Sequence, residues 1–121
     1  MDQQNELKAT FLEEYASAKL LYEKEMLKSA VILLSKALFA LCDYLIFIKY
    51  AKLPKNHAER FRILQTKENQ IYVVVDLIWS QYTDTYSRPS SVEAYRILNK
   101  TITQIIEHEP FDPEIKRIVK K

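Results

Sequence analysis

The stretch from Ala18 to His57 constrains this chain more than any other. It passes from the tail of an amphipathic segment, through a tight polar bend, into a long apolar segment from about Leu27 to Ala51. It breaks at Pro54-Lys55-Asn56-His57. Within the long segment Leu27, Val31, Leu34, Leu38, Leu41, Leu45 and Ile48 form one helical stripe, and Leu33, Ala40 and Phe47 form a second. Only a narrow strip with Lys28, Ser29, Lys36 and Asp43 stays polar. A helix apolar around most of its circumference sits between several neighbours, so this one belongs at the centre of a bundle. Ala30, Ala37 and Ala40 let those neighbours come close. Val31–Ile48 is the most apolar part, but Lys36 and Asp43 interrupt it; a spanning helix needs about 20 mostly apolar residues, so a membrane span is not expected.

The chain contains no glycine. Turns that need positive φ must therefore use Asn, Asp or Lys, or be avoided. Hairpin-rich β folds depend on such turns, which favours helices with short connections. At 121 residues the chain makes about one domain, large enough to bury one core without staples. The single cysteine, Cys42, lies in the apolar run, where it reads as a small buried hydrophobe. It allows no intramolecular disulfide, which fits a reducing cytoplasm. The polar, acidic start Met-Asp-Gln-Gln-Asn-Glu carries no signal-peptide pattern. The net charge of +2 neither demands nor excludes a nucleic-acid partner. The cationic tail, with Lys116, Arg117, Lys120 and Lys121, reads as solvated.

The expected fold is all-α: an up-and-down bundle of four main helices plus a short C-terminal helix, one domain over 1–121. The first helix runs from about Gln3 to Glu25, with Leu7, Phe11, Tyr15, Ala18 and Tyr22 on one face. Pro54 stops the second helix. Asn56 and Glu59 form a capping box that starts the third. Lys67–Gln70 is a point where the third helix can bend or break. Its continuation, Ile71–Tyr82, has a β-branched cluster that suits a strand as well, but no second strand exists to pair with it. Helix is therefore expected, with Val74, Leu77, Ile78 and Gln81 at helical spacing. Thr83–Pro89 is expected to be a loop, and Ser90 with Glu93 forms a second capping box. Val92, Tyr95, Leu98, Ile102 and Ile105 line the inner face of the fourth helix, which Pro110 ends. From Asp112 a short helix is expected to make contact through Ile115, Ile118 and Val119.

Three places in the chain resemble the HEPN domain family (higher eukaryotes and prokaryotes nucleotide-binding). The first is Ala18-Lys19-Leu20-Leu21 leading through Ser29–Leu33 into Lys36-Ala37-Leu38. The second is Leu53-Pro54-Lys55-Asn56-His57, similar to the family's break between its second and third helices. The third is Tyr82–Arg88 followed by Glu93-Ala94, which looks like the loop into the last long helix. The resemblance spans roughly Ala16 to Glu107. It implies a homodimer packed through helices around a shared cleft. It also implies a link to nucleotides or RNA, and a toxin–antitoxin type pairing with a nucleotidyltransferase-like protein. Catalytic members are ribonucleases marked by Arg, a polar residue and then His, with four to six residues between Arg and His. Here Tyr50, Ala51 and Lys52 occupy that window before His57, and Thr101, Ile102 and Thr103 before His108. With no Arg in either window, the resemblance carries over no catalytic residue and points to the non-catalytic members.

The residues themselves offer a few candidates for binding nucleotide or RNA. His57 lies at a helix start, where the neutral imidazole is favoured; it reads as a ligand-contacting base or as a His bonded to the backbone. Arg60 and Arg62 could each hold a phosphate by a forked contact, or be solvated and salt-bridged. Tyr82, Asp84, Tyr86 and Arg88 form a polar cluster in the expected loop. There the tyrosines could stack bases while Arg88 meets a phosphate, or could simply cover the bundle end. Glu107, His108 and Glu109 are consecutive and do not share a helix face, so no metal is expected there. Neither a phosphate-binding glycine loop nor H-E-x-x-H occurs, and no cofactor is expected. Two functions stay open: a binding or dimerisation module, and a metal-independent ribonuclease using His57 with Arg60 or Arg88. A tetratricopeptide-like adaptor is disfavoured, since no repeat of about 34 residues is visible.

Overall fold

The computed structural model describes residues 2–119 apart from 85–91, with residues 81–84 described by backbone alone. Six helices follow in order: α1 Asp2–Glu23, α2 Leu27–Tyr50, α3 His57–Lys67, α4 Asn69–Asp84, α5 Val92–His108 and α6 Pro113–Lys116. No strand occurs among the described residues. The architecture is the expected bundle of main helices with a short terminal one, and the third helix does break. Glu68 leaves helical geometry (φ −138°, ψ 63°) and separates α3 from α4.

α1 and α2 form a long antiparallel hairpin. The turn between them closes by a Schellman pair, with Met26 N–H donating to Leu21 O (2.9 Å) and Glu25 N–H to Tyr22 O (3.0 Å). Such a close needs a left-handed residue, and Glu25 takes it at φ 64°. Ala51 does the same after α2 at φ 56°, where its N–H donates to Phe47 O at 2.9 Å. The expectation that Asn, Asp or Lys would fill positive-φ positions is therefore corrected. Helix-closing hydrogen bonds outweigh a left-handed cost of about 1–2 kcal/mol at each of these two residues.

α2 is the hub. Val31, Leu34, Ala37, Leu38, Leu41, Leu45 and Ile46 are buried on it, alongside Phe11 and Ala18 of α1 and Leu98, Ile102 and Ile106 of α5. Each large side chain so buried contributes about 1.5–3 kcal/mol. α2 alone among the described helices is long and apolar enough to cross a membrane, yet 67% of its most apolar window is buried inside the bundle. Cys42 is buried there too, and burial pushes its thiol up to about 12. Ser35 is fully buried, and its Oγ has no hydrogen-bond partner among the described residues.

The lower end of the bundle is tied by charges. Lys49 Nζ bridges Glu68 (2.6 Å) and Glu109 (3.2 Å), joining the end of α2 to the start of α4 and the end of α5. Lys8 reaches Asp112 (3.1 Å) and Glu114 (2.9 Å), and Tyr44 Oη donates to Asp112 Oδ1 at 2.8 Å. These contacts seat α6, whose Ile115 is buried while Ile118 and Val119 pack partly against the core.

α4 departs from its expected register. Its buried side chains are Ile71, Val75 and Ile78, whereas Val74 and Leu77 face outward with Val73. Leu77 is 66% exposed and Val73 59%. α4 also continues to Asp84, so Thr83 and Asp84 are helical and not the start of a loop. At the start of α5, Val92 is exposed rather than part of the inner face.

Candidate functional site

α3 begins as its sequence dictates. Asn56 Oδ1 accepts from Glu59 N–H at 2.9 Å, while Glu59 Oε1 accepts from Lys55 N–H at 2.7 Å. This cap fixes His57 as the first residue of the helix and sets Arg60 one turn later, on the side facing α2.

Across that gap lies Asp43, from the polar strip of α2. Arg60 grips it with two parallel bonds, Nε to Oδ1 at 2.6 Å and Nη2 to Oδ2 at 2.9 Å. The remaining terminal nitrogen, Nη1, donates to His57 Nδ1. Both ion-pair side chains are largely covered, at 11% and 15% exposure. The Arg60 guanidinium also lies 5.4 Å from the centre of the Phe39 ring, one helical turn before Asp43. His57 completes an aromatic cluster, with ring centres 4.3 Å from Trp79 and 5.2 Å from Phe39. Phe61 meets Trp79 at 5.8 Å.

This geometry fixes the state of His57. A guanidinium has only donors, so Nδ1 accepts, and in the neutral ring the proton sits on Nε2. Burial holds the His57 pKa below its ordinary value, the Arg60 charge adds to that, and Asp43 opposes it. The neutral form expected from the helix start is thus favoured chiefly for other reasons, burial and a neighbouring cation. His57 bonds to a side chain, not to the backbone. Arg60 cannot offer a free fork to a phosphate, because Asp43 already fills it. Arg62 is 66% exposed, with Glu59 3.7 Å away.

Of the remaining candidates, the side chains of Tyr82 and Asp84 lie outside the described residues, as do Tyr86, Arg88 and the Ser90 cap. The Glu107-His108-Glu109 trio does not converge. His108 Nδ1 lies 2.9 Å from Gln104 O, and Glu109 joins Lys49. Among the described residues no three His, Cys, Asp or Glu side chains are placed to share a metal ion.

The residues that complete the site without having been singled out are Asp43, Phe39 and Trp79. Asp43 carried a usable signal, since a carboxylate in an apolar helix demands a cationic partner. Trp79 carried none beyond being the sole tryptophan. A separate open cleft of about 500 Å³ runs between α1 and α5, lined by Tyr15, Tyr22, Tyr95, Lys19 and Asn99 among others. Tyr22 and Tyr95 stack there at 4.0 Å, and Tyr15 Oη donates to Asn99 Oδ1 at 2.5 Å. The tyrosines thus mainly satisfy one another and the helices they join. The chain matches no protein-family model, no curated protein and no solved structure.

Proposed function

We propose that this chain is a non-catalytic, HEPN-like binding module that dimerises through α4. The carrying observation is the outward apolar strip of Val73, Val74 and Leu77. Exposed apolar patches on a folded domain mark interaction sites. Asp76 is the only charged residue from Asn69 to Gln81, so two copies can bring this strip together with little like-charge repulsion. The link to nucleotide or RNA biology, and a nucleotidyltransferase-like partner, follow from the resemblance at Ala18–Leu38, Leu53–His57 and Tyr82–Ala94.

The same reading disfavours a ribonuclease built on His57 and Arg60. A general base needs a free lone pair, but the His57 lone pair accepts from Arg60 and its other nitrogen carries the proton. A phosphate clamp needs a free guanidinium edge, and Asp43 occupies the fork.

The test has two arms. Sedimentation equilibrium is expected to show a dimer for the wild type and a monomer for Leu77→Glu, with helical content unchanged by circular dichroism. A monomeric wild type, or a dimeric variant, would overturn the α4 assignment. Incubation with labelled total RNA in the presence of chelator is expected to leave the RNA intact. Cleavage that disappears in His57→Ala would instead establish the nuclease.

A further inference from the structure

The whole chain carries a formal net charge of only +2, and one corner of the bundle gathers as much by itself, with Lys52, Arg62 and Lys67 against Glu59. Where the connector after α2 meets the outer face of α3, an open cleft of about 430 Å³ is lined by Lys52, Leu53, Arg62, Ile63, Thr66 and Lys67, with Glu59 at its edge. Lys55 belongs to the same connector. Among the described residues of the lining Glu59 is the sole carboxylate, and it is already engaged by Lys55 N–H (2.7 Å) and approached by Arg62 (3.7 Å). Lys67 rests over the Tyr50 ring at 5.4 Å, while Lys49 is spent on Glu68 and Glu109 and adds nothing here.

The floor of the cleft is apolar. Leu53 is 41% exposed, and Ile63 is only partly covered. The neighbouring Pro54 is buried and follows the left-handed Ala51, so the connector presenting Lys52 and Leu53 is already held in shape. A preformed site loses less freedom on binding than a mobile one.

We infer that this α2–α3 corner is a docking surface for an acidic segment of another protein, one that seats an apolar side chain on Leu53 and Ile63. Two features fit this occupant. A cationic rim complements carboxylates and speeds encounter, and the apolar floor needs an apolar anchor. A nucleic acid fits less well. Among the described residues no aromatic side chain lines the cleft to stack a base, and a phosphate backbone leaves the floor unfilled. This surface lies on α3 and its connector, apart from the α4 strip, so the inference stands or falls independently of dimerisation.

The experiment is fluorescence anisotropy with the full chain and a labelled synthetic peptide of glutamates around one central leucine. Saturable binding is expected, weakened about tenfold or more, equivalent to about 1.4 kcal/mol, by Arg62→Glu combined with Lys67→Glu. Leu53→Ser is expected to reduce the affinity to that of an all-glutamate peptide. Leu77→Glu is expected to leave binding unchanged. Circular dichroism of the exposed-site variants verifies that they fold. The inference is overturned by absent binding, by affinity indifferent to the charge reversal, by an all-glutamate peptide binding equally well, or by a single-stranded oligouridylate binding more tightly than the peptide. A loss of binding in Leu77→Glu would overturn the corner as the location.

Discussion

α2 and α4 are both rich in large apolar residues, yet they end in opposite situations. α2 has neighbours on most sides: α1, α3, α4 and α5 all pack on it, and its long stripe from Val31 to Leu45 is closed to solvent. α4 packs on α2, α3 and α5, yet among its described residues Ile71, Val75 and Ile78 are inside while Val73 and Leu77 face outward. Apolar content therefore says that a helix seeks cover, while position in the bundle says how much of that cover the chain itself supplies. Where the supply falls short, the remainder is available to a second molecule.

The largest expected contrast tests this difference directly. Leu38→Ala in α2 opens a cavity in a fully buried site and is expected to cost about 3 kcal/mol. Leu77→Ala in α4 removes an exposed side chain and is expected to change the stability of the monomer by about 0.5 kcal/mol or less. Urea unfolding at low protein concentration compares the two. A large loss in Leu77→Ala under those conditions would mean that α4 is covered within one chain, and would remove the reason for a partner there.

A second comparison concerns the carboxylate that α2 turns toward α3, Asp43. Asp43→Ala leaves the Arg60 guanidinium covered and without its carboxylate, and is expected to destabilise by about 3 kcal/mol. Replacing both partners, Asp43→Leu with Arg60→Met, is expected to recover most of that loss, because apolar groups of similar size need no counter-charge. Denaturant midpoints for the two variants measure the difference. Equal destabilisation by the single and the double change would mean that the pair holds α3 through more than mutual charge.

The contrast also explains what could be read from the sequence. α2 was legible because a buried helix repeats its pattern on every side, and no register error can hide such a stripe. The cap at Asn56 and the stop at Pro54 were legible because both are local chemistry, settled within a few residues. The outward face of α4 was not. Val73, Val74, Val75, Leu77 and Ile78 are chemically alike, so spacing alone does not decide which of them meets α2. Aromatic contacts of Trp79 with Phe39 and Phe61 accompany the face that turns inward. Glu25 and Ala51 at positive φ were equally hidden, since nothing in either side chain favours the left-handed region. In the candidate site, a helix start points to His57 and a cationic pair to Arg60. Their locking by Asp43 spans seventeen positions of sequence and depends on how α3 lies on α2.

The smallest effect concerns His57, where the two helices meet around a single titratable ring: α2 contributes Asp43 and Phe39, α4 contributes Trp79, and Arg60 of α3 donates to Nδ1. Burial and the Arg60 charge lower its pKa from the ordinary 6.5, with Asp43 acting in the opposite sense. As pH falls, the unfolded chain therefore takes up this proton before the folded one. Between about 6.5 and the lower folded value, the unfolded state binds more protons, so stability declines as pH drops through that window. Above it the contribution is complete. An NMR titration is expected to place the His57 midpoint below 6.5 in the wild type, and His57→Gln is expected to flatten this part of the stability profile. Arg60→Met is expected to raise the midpoint, since it removes the donor to Nδ1 and leaves Asp43 to favour the imidazolium. A wild-type midpoint at or above 6.5 would mean that Nδ1 is free to take a proton. That result would return His57 to the list of possible bases, and with it the catalytic reading that the Arg60 contact disfavours.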